Sequence, residues 1–135
     1  MHVLIIENHR DAVPGLFDFL EAKGHVVDVA GIGFMDRNLA MSCHYDAILL
    51  NLVHAGSEEM ALCRSLRERG GKTTPILMLS VLDTLDDKIA SLEAGADDFL
   101  AKPVSLSEIE SRLRVLFRLG SRLKARADQV PSMIG

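Results

Sequence analysis

Short apolar runs alternate with stretches whose apolar residues recur every three to four positions, five times along the chain. His2 to Ile6 is a strand-length run feeding the polar cluster Glu7-Asn8-His9-Arg10-Asp11, the pattern of a fully buried strand and its exit loop. From Asp11, the positions Val13, Leu16, Phe17, Leu20 and Ala22 have helical spacing, and Lys23-Gly24 marks the stop. Pro14 fits the first turn of that helix, whose backbone N–H groups have no intrahelical partner to lose. His25 to Val29 is β-branched and short, a second strand with Gly31 and Gly33 at its exit, and Phe34 to Cys43 makes a weaker helix. Ala47 to Leu50 is the third strand. Glu58, Glu59, Met60, Leu62, Cys63, Leu66 and Arg69 then form an amphipathic helix with acids early and bases late, ended by Gly70-Gly71. Ile76 to Leu79 is a fourth strand stopping at Ser80, Asp86 to Glu93 a helix closed by Gly95, and Asp98 to Ala101 a fifth strand. Ser105 caps the last helix, with Glu108 completing a capping box ahead of Ile109, Leu113, Leu116 and Phe117.

Five such alternations with brief connections predict an α/β fold: a doubly wound, five-stranded parallel sheet flanked by five helices, with right-handed crossovers. The length of 135 residues fits one domain, here residues 1–120, and residues 121–135 read as a helix extension or linker tail. Hydrophobic residues make up 48% and aromatics only 4%, with no Trp, so the core is expected from Leu, Ile, Val, Ala and Met. The net charge of -4 supplies no general attraction to nucleic acid or anionic membrane, so direct DNA contact by this domain is disfavoured. Cys43 and Cys63 sit in apolar helical patterns without metal-ligand spacing and read as small buried thiols in a reducing cytosol. No segment has the length of a signal sequence core or a membrane span, so a cytoplasmic location is expected.

In an open α/β sheet, ligands and chemistry collect at the carboxyl ends of the strands. Side by side, those ends would bring Glu7 and Asn8, Asn51, Ser80 and Lys102 to one crevice. A carboxylate at position 51 could accept a phosphoryl group or hold a divalent cation, and a neutral amide does both poorly. His9 and His54 flank the crevice, where a pH-sensitive or transition-metal site with Glu7 competes with the plainer reading of two solvated loop histidines.

Across about residues 2 to 120 the chain resembles the receiver domain of two-component response regulators. The resemblance is carried by Leu4-Ile5-Ile6-Glu7-Asn8, Tyr45-Asp46-Ala47-Ile48-Leu49-Leu50-Asn51, Leu79-Ser80 and Glu93-Ala94-Gly95-Ala96-Asp97-Asp98-Phe99-Leu100-Ala101-Lys102-Pro103. It implies the flavodoxin-like or CheY-like strand order 2-1-3-4-5. It also implies an acidic pair for Mg²⁺, an aspartate phosphoacceptor, a Ser or Thr, and a Lys before a cis-proline; these fall on Glu7 with Asn8, Asn51, Ser80 and Lys102. Two of the three carboxylates are amides here, so the resemblance points to an atypical receiver without aspartyl phosphorylation, catalytic residues, resident metal or cofactor. The loop Leu52-Val53-His54-Ala55-Gly56 and Val81 depart from the family pattern too, and Lys102 is expected to pair with Glu7. Phe99 stands where the family has its switch aromatic.

In OmpR/PhoB-type receivers, charged residues matching Lys88, Glu93, Asp97, Asp98, Glu108, Arg112, Arg114 and Arg118 form a two-fold dimer through the fourth helix, fifth strand and fifth helix. Lys88 with Glu108 and Asp98 with Arg112 fall on matching positions, and Leu92, Ala94 and Leu113 would supply an apolar patch. Exposed ion pairs contribute little individually, so a solvated surface competes with the dimer face. The implied function is a phosphorylation-independent regulatory and dimerisation module, not an enzyme, in a transcriptional regulator whose DNA-binding domain lies beyond residue 135. Two alternatives stay open: a stand-alone adaptor docking a signalling partner through the helix after strand one, and a conventional Mg²⁺-dependent phosphoacceptor in which Asn51 is an engineered substitution.

Overall fold

The computed structural model describes residues 1–7, 13–31, 42–52, 58–68, 73–81 and 84–129. Among them run β1 (His2–Ile6), α1 (Leu16–Ala22), β2 (Val26–Ala30), β3 (Ala47–Leu52), α2 (Glu58–Glu68), β4 (Ile76–Ser80), α3 (Leu85–Glu93), β5 (Asp98–Ala101) and α4 (Leu106–Gln129). All strand pairings are parallel, in the order β2-β1-β3-β4-β5. The order is the one the resemblance implies. Four helices, not five, lie among the described residues; the helix predicted at Phe34 to Cys43 falls largely on residues 32–41, which lie outside them. Accordingly α3 and α4 are the fourth and fifth helices of the sequence reading.

Alternation of side chains along each strand builds a core on both faces of the sheet. Leu4, Ile6, Ile48, Leu50, Ile76 and Met78 pack with Met60, Leu62, Cys63 and Leu66 of α2. On the other face Val3, Ile5, Leu49, Leu77 and Leu79 meet Leu16 and Leu20 of α1 and Ile109 and Leu113 of α4. The central strands read as unbroken apolar runs because neither face is left to water.

Helix α1 begins later than its periodicity suggests. Gly15, in the left-handed region at φ 76°, precedes Leu16, so Pro14 lies before the helix and not in its first turn. Seven residues give two turns, and one stripe, Leu16 and Leu20, is buried while Phe17 is 39% exposed. Gly15 also packs against the last helix, since a Cβ there would sit 3.6 Å from Leu106 Cδ1. The predicted cap of the last helix forms, with Ser105 Oγ accepting from the Glu108 N–H at 3.1 Å, and Thr84 Oγ1 caps α3 in the same way, accepting from the Asp87 N–H at 3.2 Å. Helix α4 passes unbroken through Gly120, whose close approach to Pro75 would put an added Cβ 3.3 Å from the proline ring. No helix among the described residues is long and apolar enough to cross a membrane.

Candidate functional site

The carboxyl ends of β1, β3, β4 and β5 define one end of the sheet. Ile6 is in register with Leu50 and Asn51 with Leu79, so Glu7 and Asn51 stand level on neighbouring strands. Ile5, Leu49 and Leu79 all face α1 and α4; by the two-residue period, Glu7 and Asn51 point to that same side. Asn51 is wholly buried and lies within β3 itself, Ser80 is wholly buried at the last position of β4, and Glu7 and Lys102 are half-buried. The Glu7 N–H donates to Ala30 O at 3.0 Å and the Lys102 N–H to Ser80 O at 2.6 Å, tying the crevice backbone to its neighbours. The Lys102–Pro103 peptide is cis. Asn8, His9, His54 and Ala55 lie outside the described residues. Phe99 is half-buried against the α2 and α3 side of the core.

A small hard cation needs several anionic oxygens to offset its dehydration. This end of the sheet offers the Glu7 carboxylate and the Asn51 amide, and Asn8 is an amide by sequence. The donor set does not fit Mg²⁺. Among the described residues, no three His, Cys, Asp or Glu side chains come together as ligands could.

The shifted ionisations lie elsewhere. Burial, then the Asp28 carboxylate, pushes the Tyr45 hydroxyl far up, while hydrogen bonds from Tyr45 (2.9 Å) and His2 (3.0 Å) hold Asp28 below the usual carboxylate range. Burial lifts the Cys63 thiol to about 11, whereas Cys43, expected to be buried as well, is exposed ahead of β3. At Glu110 burial acts upward, but hydrogen bonds from Arg114 (2.7 Å) and His25 (3.4 Å) outweigh it and lower the carboxyl.

The eight charged residues expected on one surface are divided. Lys88, Glu93 and Arg118 are exposed and Glu108 is half-buried. Asp98 pairs with Arg112 of its own chain at 3.3 Å. Asp97 is also used within the chain: Arg67 Nη2 and the Ile76 N–H each donate to its Oδ2 at 2.7 Å. Arg114 is held by Glu110 beside His25, on the flank of α4 away from Arg112, because a two-residue step turns a helix by about 200°. The proposed apolar patch needs correction as well. Ala94 and Leu113 belong to the core and only Leu92 is exposed. Exposed apolar area comes instead from Leu85, Ile89 and Leu92 on α3, one stripe at helical spacing, and from Val115 and Leu119 on α4.

Arg67 went unnoticed in the sequence. From the last turn of α2 its guanidinium also donates to Gly95 O at 2.9 Å and Thr74 O at 2.7 Å, joining α2 to the approaches of β4 and β5. An arginine in a last helical turn looks like a dipole partner, and nothing local announces these distant acceptors.

Residues 3–114 match the family described as response regulator receiver domain. The chain belongs to this family. The receiver is 36% identical to the transcriptional regulatory protein CusR of Escherichia coli strain K12 over 121 residues, 90% of this chain and 53% of CusR. It thus spans about half the length of the curated relatives it matches. Its fold is similar to that of the Francisella response regulator 1452 receiver domain, with a TM-score of 0.77 at 28% identity, covering 87% of this chain and 96% of that one. The receiver domain of the sensor histidine kinase PA1611 from Pseudomonas aeruginosa is also similar, with a TM-score of 0.72 at 25% identity over 86% of this chain and 96% of that chain. That structure holds a magnesium ion in its active site cleft.

Proposed function

We propose that this receiver works without phosphorylation, as the regulatory and dimerisation domain of a transcriptional regulator. The observation that carries the reading is Asn51, an amide wholly buried at the carboxyl end of β3, where a phosphoacceptor carboxylate would stand. The amide's oxygen has no net charge and its nitrogen lone pair is delocalised, so it is a poor nucleophile, and the surrounding donors do not favour Mg²⁺. Membership of a transcriptional regulator rests on relatives such as CusR, and the net charge of -4 assigns any DNA contact to another domain. The dimer face is α3, β5 and α4: the exposed apolar residues there are bordered by Lys88 and Arg112 and by Glu93 and Asp98, and a two-fold axis would use such a mixed surface twice. Light scattering with and without acetyl phosphate and Mg²⁺ tests this reading. A dimer whose mass is unchanged by the phosphoryl donor is expected; a monomer at high concentration, or a dimer formed only with the donor, contradicts it.

A further inference from the structure

We propose that the cleft beside Lys102 binds a small amphipathic carboxylate, a molecule with an apolar body and one anionic head. The cleft is open to solvent, has a volume of about 470 Å³ and is lined by Val13 and Pro14 ahead of α1, Val81 after β4, and Lys102, Pro103 and Val104 after β5. Small-molecule sites in proteins have this size and composition, mostly apolar walls with a few polar groups that fix orientation, and α/β sheets carry them at the strand carboxyl ends.

Val81 marks the opening. All five residues of β4 are buried, yet the valine that follows them is 59% exposed at the edge of the crevice. Among the described residues that line it, Lys102 is the one with a charged side chain. Its ammonium carries three donors, so it can keep a partner within the protein and still donate to a bound carboxylate. The frame is held in place on two sides, by the Lys102 N–H bond to Ser80 O and by the contact of Gly15 with Leu106; a preformed cleft loses little freedom on binding. A bare inorganic anion would gain nothing from the valine and proline walls, and a neutral apolar molecule would forgo the further hydrogen bond that the ammonium can donate beside those it already makes. Both parts of the ligand are therefore needed. The inference stands apart from the reading of Asn51, since it requires nothing about phosphorylation.

Titration of the ¹⁵N-labelled receiver with 4-phenylbutyrate, followed by amide chemical shifts at neutral pH, tests it, with 4-phenylbutanamide and acetate as comparison probes. Saturable shifts centred on Val81, Lys102 and Val104 are expected. The amide should bind about tenfold more weakly, the worth of one charge-assisted hydrogen bond, and acetate should not saturate. Val81→Glu, at an exposed position, should abolish binding with an otherwise unchanged spectrum, and Lys102→Gln should bring acid and amide to equal affinity. Absence of saturable shifts, shifts centred elsewhere, equal affinity of acid and amide for the unaltered protein, or binding that survives Val81→Glu would each overturn the proposal.

Discussion

Gly95→Ala isolates the junction that Arg67 holds together. Gly95 has φ +115°, a region L side chains rarely adopt, and forcing a non-glycine residue there costs about 1–3 kcal/mol. The new Cβ would also lie 2.5 Å from Arg67 Cγ. Cγ is near the root of the side chain, so the guanidinium must swing away, loosening its bonds to Gly95 O, Thr74 O and Asp97. Asp97 is 44% and Arg67 21% exposed, so water replaces part of what is lost, and this second contribution is set at about 1–2 kcal/mol. The total is about 2–5 kcal/mol, a large share of a typical domain stability of about 5–15 kcal/mol. Urea denaturation measures it. Arg67→Ala alone should cost about 1–2 kcal/mol, and in that background Gly95→Ala should cost only its conformational part, so the double variant falls short of additivity by about 1–2 kcal/mol. Strict additivity, or a cost for Gly95→Ala below about 1 kcal/mol, would refute both the clash and the clamp.

Other expectations follow from the same structure. Asp28 and Glu110 have lowered carboxyl pKa values in the folded state, so the unfolded chain takes up protons first as pH falls; their stabilisation is present above the unfolded values of about 4 and is lost as pH drops through the folded ones. Thermal melts should show Asp28→Asn flattening the acid-side decline in Tm, and an unchanged slope would count against the Tyr45–Asp28–His2 arrangement. The Ser91 hydroxyl is buried on α3 with no hydrogen-bond partner among the described residues, so Ser91→Ala should leave stability unchanged or raise it by about 1 kcal/mol in urea titrations, and a clear loss would mean the hydroxyl is satisfied in solution. Ile89→Glu, on the exposed stripe of α3, should halve the mass seen by light scattering while leaving Tm nearly unchanged; a dimer that persists would move the interface elsewhere.

Much of this fold was legible because the central strands are continuous apolar runs with glycine, proline or polar stops, a pattern few other structures satisfy. The capped start of α4 was equally readable, since Ser105 acts on a donor three residues away. Legibility fell wherever the outcome depended on distant partners. Helical spacing could not say which of Leu92, Ala94 and Leu113 faces outward, because that depends on how each helix crosses the sheet, and two of the three proved to be core. The start of α1 was misplaced because Pro14 suits a first helical turn, whereas Gly15 bends the chain there instead. At the strand ends, the sequence reading grouped Glu7 and Asn8, Asn51, Ser80 and Lys102, since each closes or follows a strand. The cleft walls Val13, Pro14, Pro103 and Val104 carried no signal, because loop valines and prolines look alike whether they line a cavity or face water.

The central claim concerns Asn51, and intact-mass spectrometry after incubation with acetyl phosphate and Mg²⁺ tests it most directly. The mass of the unaltered protein should not change. Asn51→Asp restores an acceptor carboxylate, which sits beside Glu7 with Asn8 still an amide, and any phosphoryl adduct should be confined to that variant. A stoichiometric adduct on the unaltered protein, located to the crevice, would contradict the account.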